Sequence, residues 1–198
     1  LRSKAEAGAA GAQYQIGIIY RDGLAGTVNA AAAAKWLERA AAQGHAAAQV
    51  AAGRLYAAGS GVRQNTGRAA QYYRTAAVRG ANAEAQYALG VLYFDGRGVD
   101  NDFRAAADWF KKAGLQGHAG AQSVLGAMYQ KGWGIDRDIG EAFVWFSLAS
   151  RRREKAMRYR ADIDPKKELQ IIAARISRLQ RKKASRRLNA IRRKLPRQ

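Results

Sequence analysis

The chain has 198 residues, 48% of them hydrophobic, and carries 35 Lys and Arg against 15 Asp and Glu for a formal net charge of +20. A chain of that length can bury a sizeable core, but it has no run of about 18 apolar residues and so no membrane-crossing helix. Cys is absent, which excludes disulfides, thiolate metal sites and cysteine nucleophiles.

The charge is unevenly placed. Residues 1–150 hold 16 Lys and Arg against 11 Asp and Glu, whereas residues 151–198 hold 19 against 4. Such asymmetry points to an anionic partner for the tail. Beginning at Leu1 rather than Met, with no signal peptide, the chain reads as a processed form or a fragment.

In chain order, residues 1–11 are small and polar and are predicted to complete the start of a first helix. An Ala-Gln pair then recurs at Ala12-Gln13, Ala48-Gln49, Ala85-Gln86 and Ala121-Gln122, at steps of 36, 37 and 36 residues. Further columns keep this register: Gly17, Gly53, Gly90 and Gly126; Tyr20, Tyr56, Tyr93 and Tyr129; Gly23, Gly59, Gly96 and Gly132. A fixed period of this size marks a stacked repeat protein. The units run from Ala12 to Gly44, Ala48 to Gly80, Ala85 to Gly117 and Ala121 to about Ser150.

Each unit reads as two helices. In the first, Gln86, Leu89, Gly90 and Tyr93 recur at helical steps. A glycine inside that stripe costs about 1 kcal/mol against Ala, so its column is read as a helix contact too close for a Cβ. The second helix carries the doublets Trp36-Leu37, Tyr72-Tyr73, Trp109-Phe110 and Trp145-Phe146. Between them stand Gly59-Ser60-Gly61-Val62, Gly96-Arg97-Gly98-Val99 and Gly132-Trp133-Gly134-Ile135. The first glycine suits a left-handed helix stop, the second a tight turn, and the apolar residue a staple to the next helix. Gly44, Gly80 and Gly117 close the second helices.

The pattern Ala-Gln-x-x-Leu-Gly-x-x-Tyr-x-x-Gly-x-Gly-Val, followed by Ala-x-x-Trp-Phe-x-x-Ala and a Gly, resembles the Sel-one-like repeat, a relative of the tetratricopeptide repeat. The match covers roughly residues 5–150. The resemblance implies an all-α fold: an αα-hairpin solenoid of four repeats over residues 1–150, with basic C-terminal capping helices over residues 151–198. Two departures stand out. Ala25 replaces the second glycine of the first loop, implying an altered turn, and Ser150-Arg151-Arg152-Arg153 replaces a closing Gly, so regular stacking is expected to stop there.

Beyond the repeats, Arg151 to Ala161 reads as a short basic helix. Asp164 suits an N-cap and Pro165 the first helical turn. Leu169, Ile172, Ala173 and Ile176 share one face, and Ser177 with Gln180 forms a capping box, which predicts a kink or a break there. Leu179, Ala184, Leu188, Ile191 and Leu195 then form an apolar stripe, ended by Pro196, expected to cover the exposed end of the array.

Residues with catalytic or metal-binding potential do not converge. His45 and His118 occupy one repeat column, so stacking separates them and a structural role is expected. Asp95, Asp100 and Asp102 lack the spacing that fills a Ca²⁺ sphere and read as solvated helix ends, with Asp102 near an N-terminus. The glycine loops lack the Gly-Lys-Ser/Thr of a phosphate loop. No cofactor, metal or small-molecule substrate is therefore expected. The aromatics outside the repeating columns, Tyr14, Tyr87, Phe94 and Trp133, are the surface candidates.

The resulting expectation is a non-catalytic scaffold that binds protein partners, with a basic tail docking an acidic one. Family resemblance agrees, since such proteins are commonly adaptors, and it favours the bacterial cell envelope, with cytoplasm the alternative. Variable first-helix positions are the partner-binding candidates on a concave face: Tyr14, Ile18, Arg21, Arg54, Tyr87, Val91, Phe94 and Gln130. The anion-binding candidates are Arg151, Arg152, Arg153, Arg181, Lys182, Lys183, Arg186, Arg187, Arg192, Arg193 and Lys194. Two other readings use the same tail: phosphate binding on nucleic acid, and binding to anionic membrane or envelope polymer. The membrane reading requires Leu188, Ile191 and Leu195 to be free rather than buried on the array.

Overall fold

The computed structural model describes residues 1–24 and 26–195, and among them all regular structure is helical. Helix starts are set locally. Asn29, His45, Asn65, Asn82, Asp102, His118 and Asp138 each accept a hydrogen bond at the side chain from the backbone N–H three residues on. Each cap satisfies a donor that the first helical turn leaves without a partner. First helices stop at Gly23, Gly59, Gly96 and Gly132, whose φ values of 69°, 72°, 65° and 79° are left-handed, as the glycine column predicts.

Residues 1–101 form one compact unit, built from α1 (Arg2–Glu6), α2 (Ala10–Asp22), α3 (Ala30–Ala42), α4 (Ala46–Ala58), α5 (Thr66–Arg79) and α6 (Ala83–Asp95). Each helix packs against the next. The predicted opening differs: α1 is separate from α2 and does not complete it. Gly8, at φ 99°, breaks the chain between them, and α1 takes the place that α3 takes before α4. Gln13 donates to the Ala5 carbonyl at 3.0 Å just as Gln49 donates to Ala41 at 3.2 Å.

Residues 102–198 form the second compact unit. It comprises α7 (Phe103–Leu115), α8 (Ala119–Lys131), α9 (Ile139–Ser150), α10 (Arg153–Tyr159), α11 (Pro165–Ala173) and α12 (Arg178–Lys194). Here α10 lies on α8, while α11 and α12 both lie on α9. The predicted kink or break near Ser177 is a break between α11 and α12, with the capping box formed. Pro196 and Ala25 lie outside the described residues.

The glycine column inside the first helices is a packing requirement. A Cβ on Gly17 would stand 2.6 Å from Leu37 Cγ, one on Gly53 2.6 Å from Tyr73 Cε1, and one on Gly126 2.9 Å from Phe146 Cδ1. The partner is each time the second residue of the doublet, buried in its core. The second loop glycine does more than turn the chain. A Cβ on Gly61 would meet the Ala30 carbonyl carbon at 2.2 Å, and one on Gly98 the Thr66 carbonyl carbon at 2.3 Å. Backbone thus meets backbone where the preceding second helix begins.

One expected stop is different. Gly44 and Gly117 are left-handed at φ 85° and 87°, but Gly80 is right-handed and Ala81 takes the positive φ, 43°. This is where the repeat is one residue longer. Because a Cβ strains that conformation by about 1–2 kcal/mol while glycine costs backbone entropy, Ala81→Gly is expected to stabilise the protein by about 0.5–1 kcal/mol in chemical denaturation. Gly126→Leu should instead destabilise it by about 1–3 kcal/mol, as overpacking does, whereas Arg97→Ala should stay within about 0.5 kcal/mol. The Arg97 ion pair with Asp95, 3.3 Å long, lies on the surface.

Candidate functional site

The candidate first-helix residues divide by exposure. In the first unit Tyr14 is half-buried and stacks on His45, with ring centroids 4.7 Å apart, while Ile18 packs partly into the core around Leu37 and Leu55. Arg21 holds Asp22 through two hydrogen bonds of 2.7 and 2.8 Å, and that bond raises the guanidinium pKa. Arg54 reaches Glu84 at 2.5 Å, joining α4 to α6. Val91 and Phe94 are half-buried. Tyr87, expected on the surface, is 7% exposed and belongs to the core. Its place in the first helix allows either face, and sequence spacing alone did not distinguish them.

In the second unit Gln130 donates to Glu168 of α11 at 2.9 Å. The tail therefore covers this face. A Cβ on Gly120 would stand 2.6 Å from Tyr159 Cβ, and Ser123 donates to the Ile163 carbonyl at 3.4 Å. Trp133 is exposed in the loop after α8, at 39%.

The tail is docked, and its cations fall into two sets. Ala184, Leu188 and Ile191 are buried, and Leu195 is half-buried. The free apolar stripe that a membrane-lying helix needs is thus occupied on α9. Leu179, read as part of this stripe, is 65% exposed instead. Five residues separate it from Ala184, which turns it toward the other side of the helix.

Several cations serve the docking. Arg187 reaches Glu141 of α9 at 3.1 Å, and Arg181 lies 5.8 Å from the Phe143 ring centroid. Arg152 donates to the Gly117 carbonyl at 3.1 Å, and Arg153 grips Asp164 at 2.9 and 2.6 Å. Arg192 is exposed, and partial desolvation, with the Arg151 charge added, lowers its pKa. The outward cations Lys182, Lys183, Arg186, Arg193 and Lys194 are exposed and have no carboxylate partner among the described residues. Arg178, which sequence reading passed over, joins them one turn before Lys182; its helical spacing was the available signal.

The histidines act as N-caps, accepting at Nδ1 from Ala48 N at 3.2 Å and Ala121 N at 3.1 Å. Asn82 does the same in the third repeat. Asp102 likewise caps α7. Tyr56 donates to Glu38 under the Arg68 guanidinium, and burial foremost, with that bond, pushes its pKa up to about 12. Among the described residues no three His, Asp or Glu side chains gather around a metal position.

This geometry defines an αα-hairpin repeat solenoid with a helical cap. The Sel1 repeat matches at residues 10–45, 46–80, 83–118 and 119–153, so the chain belongs to the Sel1 repeat family. Such proteins generally mediate protein–protein interaction and are typically non-catalytic scaffolds. Among solved structures, a Sel1 repeat protein from Oxalobacter formigenes is 31% identical, with TM-score 0.69, over 78% of this chain and 63% of that one. The protein c5321, a protective antigen present in uropathogenic Escherichia coli strains and displaying an SLR fold, is 27% identical, with TM-score 0.59, over 96% of this chain and 47% of that one. The chain thus spans less than two thirds of either relative. No curated protein matches it.

The Arg153–Asp164 bond gives the tail a pH dependence. The hydrogen bond from Arg153 lowers the Asp164 pKa from 3.8 to about 2. A carboxylate depressed in the folded state stabilises above its unfolded value and loses that contribution as pH falls toward the folded one. Asp164 also caps α11, and Asn caps equally well. Asp164→Asn should therefore flatten the fall in thermal midpoint between about pH 4 and pH 2 relative to the parent, while leaving α11 helical. The solvated setting of the pair keeps the effect small.

Proposed function

We propose that the protein is a non-catalytic scaffold whose C-terminal element docks an acidic partner. The observation that carries this reading is the rigid placement of α12, seated on α9 by Leu188 and Ile191 while it turns unpaired cations outward. A charged arm left loose would lose entropy on binding; a docked helix presents its charges already arranged. Other protein contacts are assigned to the first-helix side of residues 1–101, around Tyr14, Ile18, Arg21, Arg54, Val91 and Phe94. Gln130 is occupied by Glu168 and supports the cap instead. No catalytic role is assigned to the histidines, because both accept cap hydrogen bonds through the nitrogen that a base would need free.

The test compares partner binding by the parent chain with two variants. Changing Lys182, Arg186 and Arg193 to Glu should weaken capture of an acidic partner at least tenfold, with the thermal midpoint preserved. Changing His118 to Asn keeps the cap acceptor that Asn82 already supplies, leaves the Tyr14–His45 stack in place, and should leave partner binding and biological activity unchanged. Loss of activity in the folded histidine variant would sink the non-catalytic reading, and unaltered capture by the Glu variant would sink the acidic-partner reading.

A further inference from the structure

Arg178, Lys182, Arg186, Asn189 and Arg193 follow one another along α12 at steps of three and four residues, and all are exposed. That spacing places them in one line along the helix, opposite the buried Ala184, Leu188 and Ile191. From Arg178 to Arg193 the line is roughly 22 Å long, given the rise per residue of an α-helix. Its cations have no carboxylate partner among the described residues, and the sequence holds no Asp or Glu after Glu168. Leu179, 65% exposed, is the large apolar side chain beside it.

A protein partner held with useful affinity is normally anchored by buried aromatic and apolar groups, with charge at the rim. This line offers charge with almost no anchor. Closely spaced cations on a straight, rigid element suit a ligand that is itself a chain of charges, held by counterion release rather than by a pocket. Their side chains are long and solvated, with no fixed donor pair set to read a base edge.

We propose that the outward line of α12 binds the phosphate backbone of a nucleic acid without reading its sequence. This rests on the reading of the tail as an anion-docking element and narrows the acidic partner to a phosphate polymer.

The full chain is titrated with a short DNA duplex of arbitrary sequence, with poly-glutamate, and with vesicles of phosphatidylserine in phosphatidylcholine. Two variants accompany it: Lys182, Arg186 and Arg193 changed to Gln, and Lys35, Arg63 and Arg79 changed to Gln, three exposed cations of the first unit. Gln preserves helix propensity, and none of the six side chains is buried. Four phosphates neutralised give a log–log salt slope of about −3.6, a loss of about two decades in affinity between about 50 and 200 mM salt. The α12 variant should reduce that slope by about 3, the first-unit variant by less than about 1, and a second duplex of unrelated sequence should bind alike. Equal losses in both variants would reduce the binding to net charge and overturn the inference. Tighter binding of poly-glutamate or of vesicles, lost with the same α12 substitutions, would overturn it too while leaving an anion-docking tail standing. If no probe binds, both readings fall.

Discussion

The interaction on which the array depends is a buried glutamine amide. Gln13, Gln49, Gln86 and Gln122 are 5%, 5%, 5% and 2% exposed. Each donates from Nε2 to a carbonyl in the last turn of the helix before it: Ala5, Ala41, Ala77 and Gly114, at 3.0, 3.2, 3.2 and 2.9 Å. Three of these carbonyls, Ala5, Ala41 and Gly114, also accept from the N–H of Gly8, Gly44 and Gly117. The group at stake is therefore the glutamine amide itself, which left buried without a partner would cost about 1–3 kcal/mol. The glutamine supplies a donor from the next first helix and so fixes where that helix begins. One turn further on, Gly17, Gly53 and Gly126 share its face and admit Leu37, Tyr73 and Phe146. The polar bond sets the offset between helices, and the glycine then sets how closely they approach.

The same economy closes the second unit. Where a fourth closing glycine would stand, Arg152 reaches back to the Gly117 carbonyl, placing a positive charge beside the end of α7, where the helix dipole favours cations. The doublet residue Trp145 is 0% exposed, whereas Trp36, Tyr72 and Trp109 are half-buried. The cause is α11 and α12, which lie over α9 and give its outer side a core environment. Trp145 then needs a partner for its indole N–H and finds Glu141 at 3.1 Å, the same carboxylate that Arg187 holds. Core, cap and charge thus meet at one side chain, Glu141.

Much of this was legible because repetition separates signal from chance. The column of Asn, His and Asp caps changes residue type from unit to unit and was recognised in the repeats only at Asp102, whereas glycine stops and doublets were each displayed several times. The glutamine column was equally visible, but a column shows that a residue matters and not which atom it bonds. The carbonyl it meets has no side-chain identity to align. The second loop glycine was read as a turn because the backbone it touches, the start of a helix about thirty residues earlier, also leaves no mark on sequence. Ala81 escaped notice because a positive φ at alanine contradicts local preference, and the one-residue surplus that forces it shows only as a step of 37. Of the candidate site, the tail's charge was plain, while its division into docking and outward cations depends on helical phase against α9. Tyr87 and Leu179 were misplaced for the same reason, since phase within an amphipathic helix shifts when a single apolar residue is assigned to the wrong side.

That division bears on what stability alone explains. A cap needs Ala184, Leu188 and Ile191 inward and a few ties at its edges, which Arg187 and Arg181 supply. It does not need Arg178, Lys182, Arg186 and Arg193 on the far side, where they repel one another across one or two helical turns. Like charges at that spacing destabilise an isolated helix by about 0.2–0.5 kcal/mol per pair. Glutamates interspersed among them would turn repulsion into attraction without touching the core. The outward charge is therefore a local cost that folding does not require, and in a rigid element seated on α9 it is the arrangement that electrostatic docking of an anion would use.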